Sequence, residues 1–222
     1  MAPYRTTDIY LYLKATENYL KGDLREIKKL CKRAEKKEAK LNIIKGVTIS
    51  GYALPPSSVT TQTTSSTLYS NTIHRITIPI SLSLFATIDY LGYIVGANSI
   101  PLATGKNFWE FFIYANKLGF SVTNDQSNLL NSVFRQGLTH VYFPKLSVGI
   151  SYHSTNPSGK LFYKEISGTL VLNINELEII VMTVLKKILK DSKLYPAMET
   201  KYQSLVADYK TKHASAIASI KI

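Results

Sequence analysis

One stretch of this chain concentrates side chains that could do chemistry: Phe134-Arg135-Gln136-Gly137-Leu138-Thr139-His140-Val141-Tyr142-Phe143-Pro144-Lys145. It offers a guanidinium, a planar fork of donors suited to phosphate or carboxylate. It also offers an imidazole, which titrates near neutral pH. Tyr142 and Lys145 could contact a phosphate or a base, though Tyr142 and Phe143 equally suit a core. Elsewhere the signatures of other chemistries are missing. There is no G-x-x-x-x-G-K-[ST] or G-x-G-x-x-G phosphate loop, and no G-x-S-x-G turn for a nucleophilic serine. His74, His140, His153 and His213 show no H-E-x-x-H or paired spacing, and Cys31 is the only cysteine. No metal, cofactor or disulfide is therefore expected.

Arg135 and His140 also have ordinary structural uses. Near a helix C-terminus both complement the helix dipole. Asp89 lies in an otherwise apolar helix and needs a partner if buried, and Arg135 can supply it. Spacing adds a constraint. Five residues at about 100° each leave Arg135 and His140 about 140° apart on a regular helix. They converge only if the helix distorts near Gly137, if His140 lies past its end, or if two chains share one site.

The elements that must position these residues can be read from periodicity. Thr7 caps a first helix over 7–45, where Leu20, Leu24, Ile27, Cys31, Ala34 and Leu41 follow alternating steps of four and three, broken only at Glu38. That line is either a seam of heptads or the core face of one long helix. Residues 46–72 hold Pro55-Pro56 and a Thr/Ser tract over 60–67, which predicts a loop or linker after a short strand at Val47-Thr48-Ile49. From 73 an apolar helix follows, with Pro79 in its first turn and Ile80, Leu84, Ile88, Leu91 and Val95 on one face. Gly92 and Gly96 allow close packing. Further helices are predicted over 108–118, stopped by Gly119, and over 124–140, capped by Asn124 or Asp125. The period then changes to alternation. Residues 146–152 and 161–163 flank the turn-rich Asn156-Pro157-Ser158-Gly159 and predict a hairpin, with a further strand at 168–173. Asn175 is expected to cap a helix over 176–190, and Pro196 to open a last one reaching Ala214.

The 222 residues carry 27 Lys and Arg against 15 Asp and Glu, a net charge of +12. At 45% hydrophobic residues the chain can bury a core, which excludes disorder throughout. Between Lys21 and Lys45 stand ten basic residues and four acidic ones, half of the whole excess. Such a face is either solvated or a ridge for phosphates. The start of the chain lacks a signal peptide's apolar run. The apolar run at 76–95 holds Asp89, whose insertion at a bilayer centre costs roughly 2.5–3.5 kcal/mol. It is therefore expected to be a buried helix and not a membrane span, in a cytoplasmic protein.

With these elements around it, the Arg135-Gln136-Gly137-Leu138-Thr139-His140 motif resembles that of the HEPN superfamily. These are helical domains of many prokaryotic ribonuclease toxins and RNA-cleaving defence effectors. Their signature is an arginine, four to six residues and a histidine, late in a helical bundle. The resemblance covers about 73–190 and implies a mostly α fold. It would be a HEPN-like bundle over 73–222 with a small β-hairpin insertion at 146–173, preceded by the long basic N-terminal helix of 1–45 and the linker of 46–72. It also implies metal-independent endoribonuclease chemistry, in which a ribose 2′-hydroxyl attacks the adjacent phosphate. His140 would be general acid or base, and Arg135 would hold the phosphate. Gln136 stands where active members often carry Asn, Asp or His, and with Asp89, Tyr142 and Lys145 completes the expected supporting set. RNA, a homodimer with both motifs in one cleft, and an acidic protein partner such as an antitoxin are the implied partners. The rivals are an inactive RNA-binding or protein-interaction module of the same fold, and a chain that attaches to membrane surfaces through its basic helix.

Overall fold

The computed structural model describes residues 3–45, 65–97, 104–141, 148–153, 155, 159–164 and 168–219, which are mostly helical with one small three-stranded sheet. Helix α1 spans Asp8–Lys45. Its start is capped as expected, with Thr7 Oγ1 accepting from the Tyr10 N–H at 3.3 Å. Ile9, Leu13, Leu20, Leu24, Cys31 and Ala34 are buried along it. The line of apolar positions is thus a core face that reaches back to Ile9. Glu17 falls on the same line and is buried, with Lys14 and Lys21 bonded to its two oxygens. The side chain of Leu41 lies outside the described residues. Burial pushes the Cys31 thiol up to about 12, so it behaves as a small apolar group.

Helix α2 spans Ser65–Val95, so it begins ahead of the expected position at 73 and includes the end of the Thr/Ser tract. Residues 46–64, with the expected strand at Val47-Thr48-Ile49, lie outside the described residues. Pro79 is inside α2 and not in its first turn. Its side chain is exposed, and its ring removes one backbone hydrogen bond from the interior of the helix. Ile80, Leu84, Ile88 and Leu91 are almost completely buried, as their spacing predicts. Thr77–Val95 is long and apolar enough to cross a membrane by length and composition, yet 61% of that window is buried within the protein. Its neighbours include α1 and three further helices, α3 (Thr104–Lys117), α6 (Ile174–Lys190) and α7 (Tyr195–Ser219). Against α3 the approach is so close that a Cβ on Gly92 would stand 1.8 Å from the Asn107 carbonyl oxygen. Only glycine fits there.

After α3, Gly119 turns the chain with φ of 97°, a left-handed conformation suited to glycine. A continuous helical rod follows: α4 (Asn124–Leu129), a π-helical turn (Leu130–Arg135) and α5 (Gln136–Val141). The cap is Thr123, in place of the expected Asn124 or Asp125. Its backbone is extended, and its hydroxyl and the Gln126 side chain form a reciprocal capping box.

The expected hairpin is corrected by the sheet. Strands β1 (Gly149–Ser151), β2 (Phe162–Lys164) and β3 (Leu170–Asn173) stand in the order β1-β3-β2. β1 and β2 do not pair. β3 lies between them, parallel to β1 and antiparallel to β2. Pairing on both edges makes β3 the central strand, and Val171, Leu172 and Asn173 are all buried. β3 then runs directly into α6. Asn173 is the N-cap, accepting from the Asn175 N–H at 3.1 Å. Asn175, the expected cap, instead clamps the backbone of His153 with bonds of 2.9 and 2.8 Å. The His153 side chain is only 18% exposed, 3.8 Å from Glu35 of α1.

Helix α7 fastens the ends of the two long helices. Glu199 accepts from the Ile9 N–H at 2.9 Å, in the first turn of α1. Lys201 donates to the carbonyls of Tyr93 and Gly96 at the end of α2, where a cation also complements the dipole. Beyond these contacts the residues of α7 become progressively exposed.

Candidate functional site

Two half-buried charged residues meet where α2 passes the rod. Asp89 follows the buried pair Phe85 and Ile88 on α2, and Arg135 ends the π-helical turn beside buried Val133 and Phe134. Each therefore sits at the edge of a core face. Arg135 Nη2 and Asp89 Oδ2 are 2.7 Å apart, with both side chains 19% exposed. The guanidinium carbon also lies 5.8 Å from the centre of the Phe108 ring on α3, a cation–π contact. This is the pairing that the apolar surroundings of Asp89 demanded.

The pairing leaves work undone. Among the described residues the second carboxylate oxygen, Oδ1, is buried with no hydrogen-bond partner, as are the Tyr90 hydroxyl and Asn131 Oδ1. Burial, opposed by the nearby Arg135, pushes the Asp89 carboxyl up to about 6. Burial also raises the Tyr90 hydroxyl, so it stays a neutral donor.

The pair lines a cavity of about 790 Å³. Its walls are rich in tyrosine: Tyr12 from α1, Tyr90 and Tyr93 from α2, and Tyr202 and Tyr209 from α7. Tyr12 contacts Tyr90 and Tyr202 at ring-centre distances of 4.8 and 5.7 Å. Lys210 and His213 complete the α7 wall, where the His213 ring stacks on Tyr209 at 5.9 Å and 20°. A concave, mostly apolar site with convergent polar groups and a shifted carboxyl is built like a ligand site. Aromatic faces suit a base, and the cations suit an anionic group.

Of the residues singled out from sequence, the structure brings Arg135 and Asp89 together at this wall. Gln136 is half-buried at the start of α5, and its N–H reaches back to the Asn131 carbonyl, the bonding of a π turn. His140 lies within α5, and its side chain is outside the described residues. Tyr142 and Lys145 are outside them altogether. The distortion of the rod is the π turn, which runs through Arg135 and ends two residues short of Gly137, itself part of α5. The sequence reading missed the tyrosines, Lys210 and His213. One signal was available: Tyr202, Leu205, Val206, Tyr209, Lys210 and His213 follow helical spacing and all line the cavity. Among the described residues no group of three His, Cys, Asp or Glu could hold a metal ion.

The class defined by these observations is a mostly helical bundle with a small sheet and a tyrosine-walled cavity. Comparison with protein-family models, with curated proteins and with solved structures gives no match.

Proposed function

We propose that the chain is a metal-independent endoribonuclease of the HEPN type, acting on RNA in the cytoplasm as a toxin or defence component. The observation that carries this reading is the place of Arg135: the arginine of the motif stands at the wall of a cavity whose aromatic faces could stack a base. In the reaction, the ribose 2′-oxygen attacks the adjacent phosphorus and loses its proton to a base. The bond from phosphorus to the 5′-oxygen breaks, and that oxygen takes a proton from an acid. The products are a cyclic phosphate and a 5′-hydroxyl. Arg135 stabilises the charge on the phosphate oxygens, and His140 moves the protons.

One histidine cannot be base and acid at the same moment. A homodimer that faces two motifs into one cleft supplies both. The backbone favours this route over the other two. Gly137 lies in regular helix, and His140 lies within α5, so the wide angular separation from Arg135 stands.

The test is cleavage of mixed single-stranded and structured RNA in EDTA, comparing the parent with Arg135→Ala and His140→Ala. The expected result is cleavage lost in both variants, with cyclic phosphate ends. Light scattering should give a dimer, and a monomer across micromolar concentrations would sink the shared site. A second reading, a binding module without turnover, is favoured by the engagement of Arg135 with Asp89 at 2.7 Å. RNA binding without cleavage by the parent protein would select it.

A further inference from the structure

A second cleft, of about 540 Å³, lies between α1 and α6 and shares no residue with the tyrosine-walled cavity. We propose that it docks an acidic amphipathic segment of a partner protein. Lys21, Arg25, Lys29 and Lys32 line it from α1, and Lys186 lines it from α6. Glu178 is the one acid lining it among the described residues, and that acid is already bonded to Lys28 at 2.7 Å and to the Tyr152 hydroxyl at 2.9 Å. Beside the cleft, Glu17 pairs with Lys21, and Glu26 lies 2.8 Å from Lys29 and 3.5 Å from Arg25. The six lining cations still outnumber these three acids, so an incoming ligand meets net positive charge.

Charge alone would suit phosphates as well as carboxylates. The apolar lining decides between them. It is formed by Leu24, Ile179 and Met182, and Ile179 is 44% exposed. A large aliphatic side chain left open between lysines has no use for a phosphate backbone. No aromatic side chain lines the cleft among the described residues, so it gives bases no stacking platform. A segment with an aliphatic stripe and acidic flanks matches both features, in the manner of a helix laid into a groove.

The test uses the full chain and a labelled synthetic helix rich in glutamate, with leucines at i, i+3, i+4 and i+7, read by fluorescence anisotropy. Controls are the same peptide scrambled and a single-stranded RNA of equal charge. Ile179→Ser should weaken the amphipathic peptide by about tenfold, the loss of one aliphatic contact, and leave RNA binding unchanged. Lys29→Glu with Lys32→Glu should weaken the peptide further, and a scrambled peptide should bind at least about tenfold more weakly than the ordered one. Equal binding of ordered and scrambled peptides, or indifference of the peptide to Ile179→Ser, would overturn the proposal. So would an RNA complex that Ile179→Ser disrupts, or a dimer of the parent chain that the same change dissolves.

Discussion

Two carboxylates, at two different clefts of the bundle, are treated differently. Glu178 on α6 is 8% exposed and has a donor for each oxygen, Lys28 on one and Tyr152 on the other. Asp89 on α2 has Arg135 on one oxygen and no partner among the described residues on the other. Buried polar groups are normally satisfied, so the first acid reads as a strut between α1, α6 and the sheet, and the second as unfinished. The unfinished acid is the one at the tyrosine-walled cavity, with its carboxyl pushed up to about 6. Incomplete satisfaction, more than charge or burial alone, is what marks Asp89 as the candidate for a site here.

The comparison breaks most severely at Gly92, which holds α2 against α3 and so shapes the cavity side. A methyl group there meets the Asn107 backbone at 1.8 Å. Gly92→Ala is expected to cost about 3 kcal/mol and lower the melting temperature by about 6–12 °C in calorimetry. A melt unchanged by the substitution would show that the two helices can part at little cost.

Removing the strut comes next. Glu178→Ala leaves Lys28 and the almost completely buried Tyr152 hydroxyl without their acceptor. The expected loss is about 2 kcal/mol in urea unfolding. The RNA binding proposed for the cavity should not change, and a parallel loss of it would erase the distinction between the clefts.

Asp89→Asn sharpens the comparison through pH. The folded carboxyl titrates near 6, above its ordinary value of 3.8, so the folded state holds the proton more tightly than the unfolded one. Stability contributed by Asp89 therefore rises as pH falls from about 6 toward 4, and is lost as pH rises again through about 6. Relative to Asp89→Asn, the parent should gain about 1–3 kcal/mol between about pH 7.5 and about pH 4.5, read from urea midpoints. A difference that stays constant with pH would show that Asp89 is not the titrating group.

The smallest effect is expected at Ile179, which is 44% exposed. Ile179→Ser should change stability by no more than about 0.5 kcal/mol, even where it weakens a partner. A larger loss in thermal unfolding would make Ile179 part of the core.

Much of the helical layout was legible because helical apolar spacing survives folding unchanged. Ile80, Leu84, Ile88 and Leu91 are buried as their period requires, and Leu20, Leu24 and Cys31 likewise. Boundaries were less legible. Thr123 and Asn173 took the capping roles expected of neighbouring residues, because a cap is set by the one extended residue before the helix and several polar residues compete for it. The strand order was not legible. Alternation marks which residues are strand, but pairing depends on which strand the core covers, and that was β3.

The candidate site divides in the same way. The sequence by itself determined that Asp89, alone in an apolar helix, needed a cation, and that Arg135 was available to it. It also determined the excess of positive charge on α1. Only the tertiary structure decided that this pair would leave an oxygen without a partner among the described residues, beside tyrosines from three separate helices. Likewise, only packing of α1 against α6 set Ile179 among lysines. The physical reason is range. Periodicity, capping and charge counts act over a few residues, whereas a cavity belongs to side chains far apart in the chain, and no local pattern records how they converge.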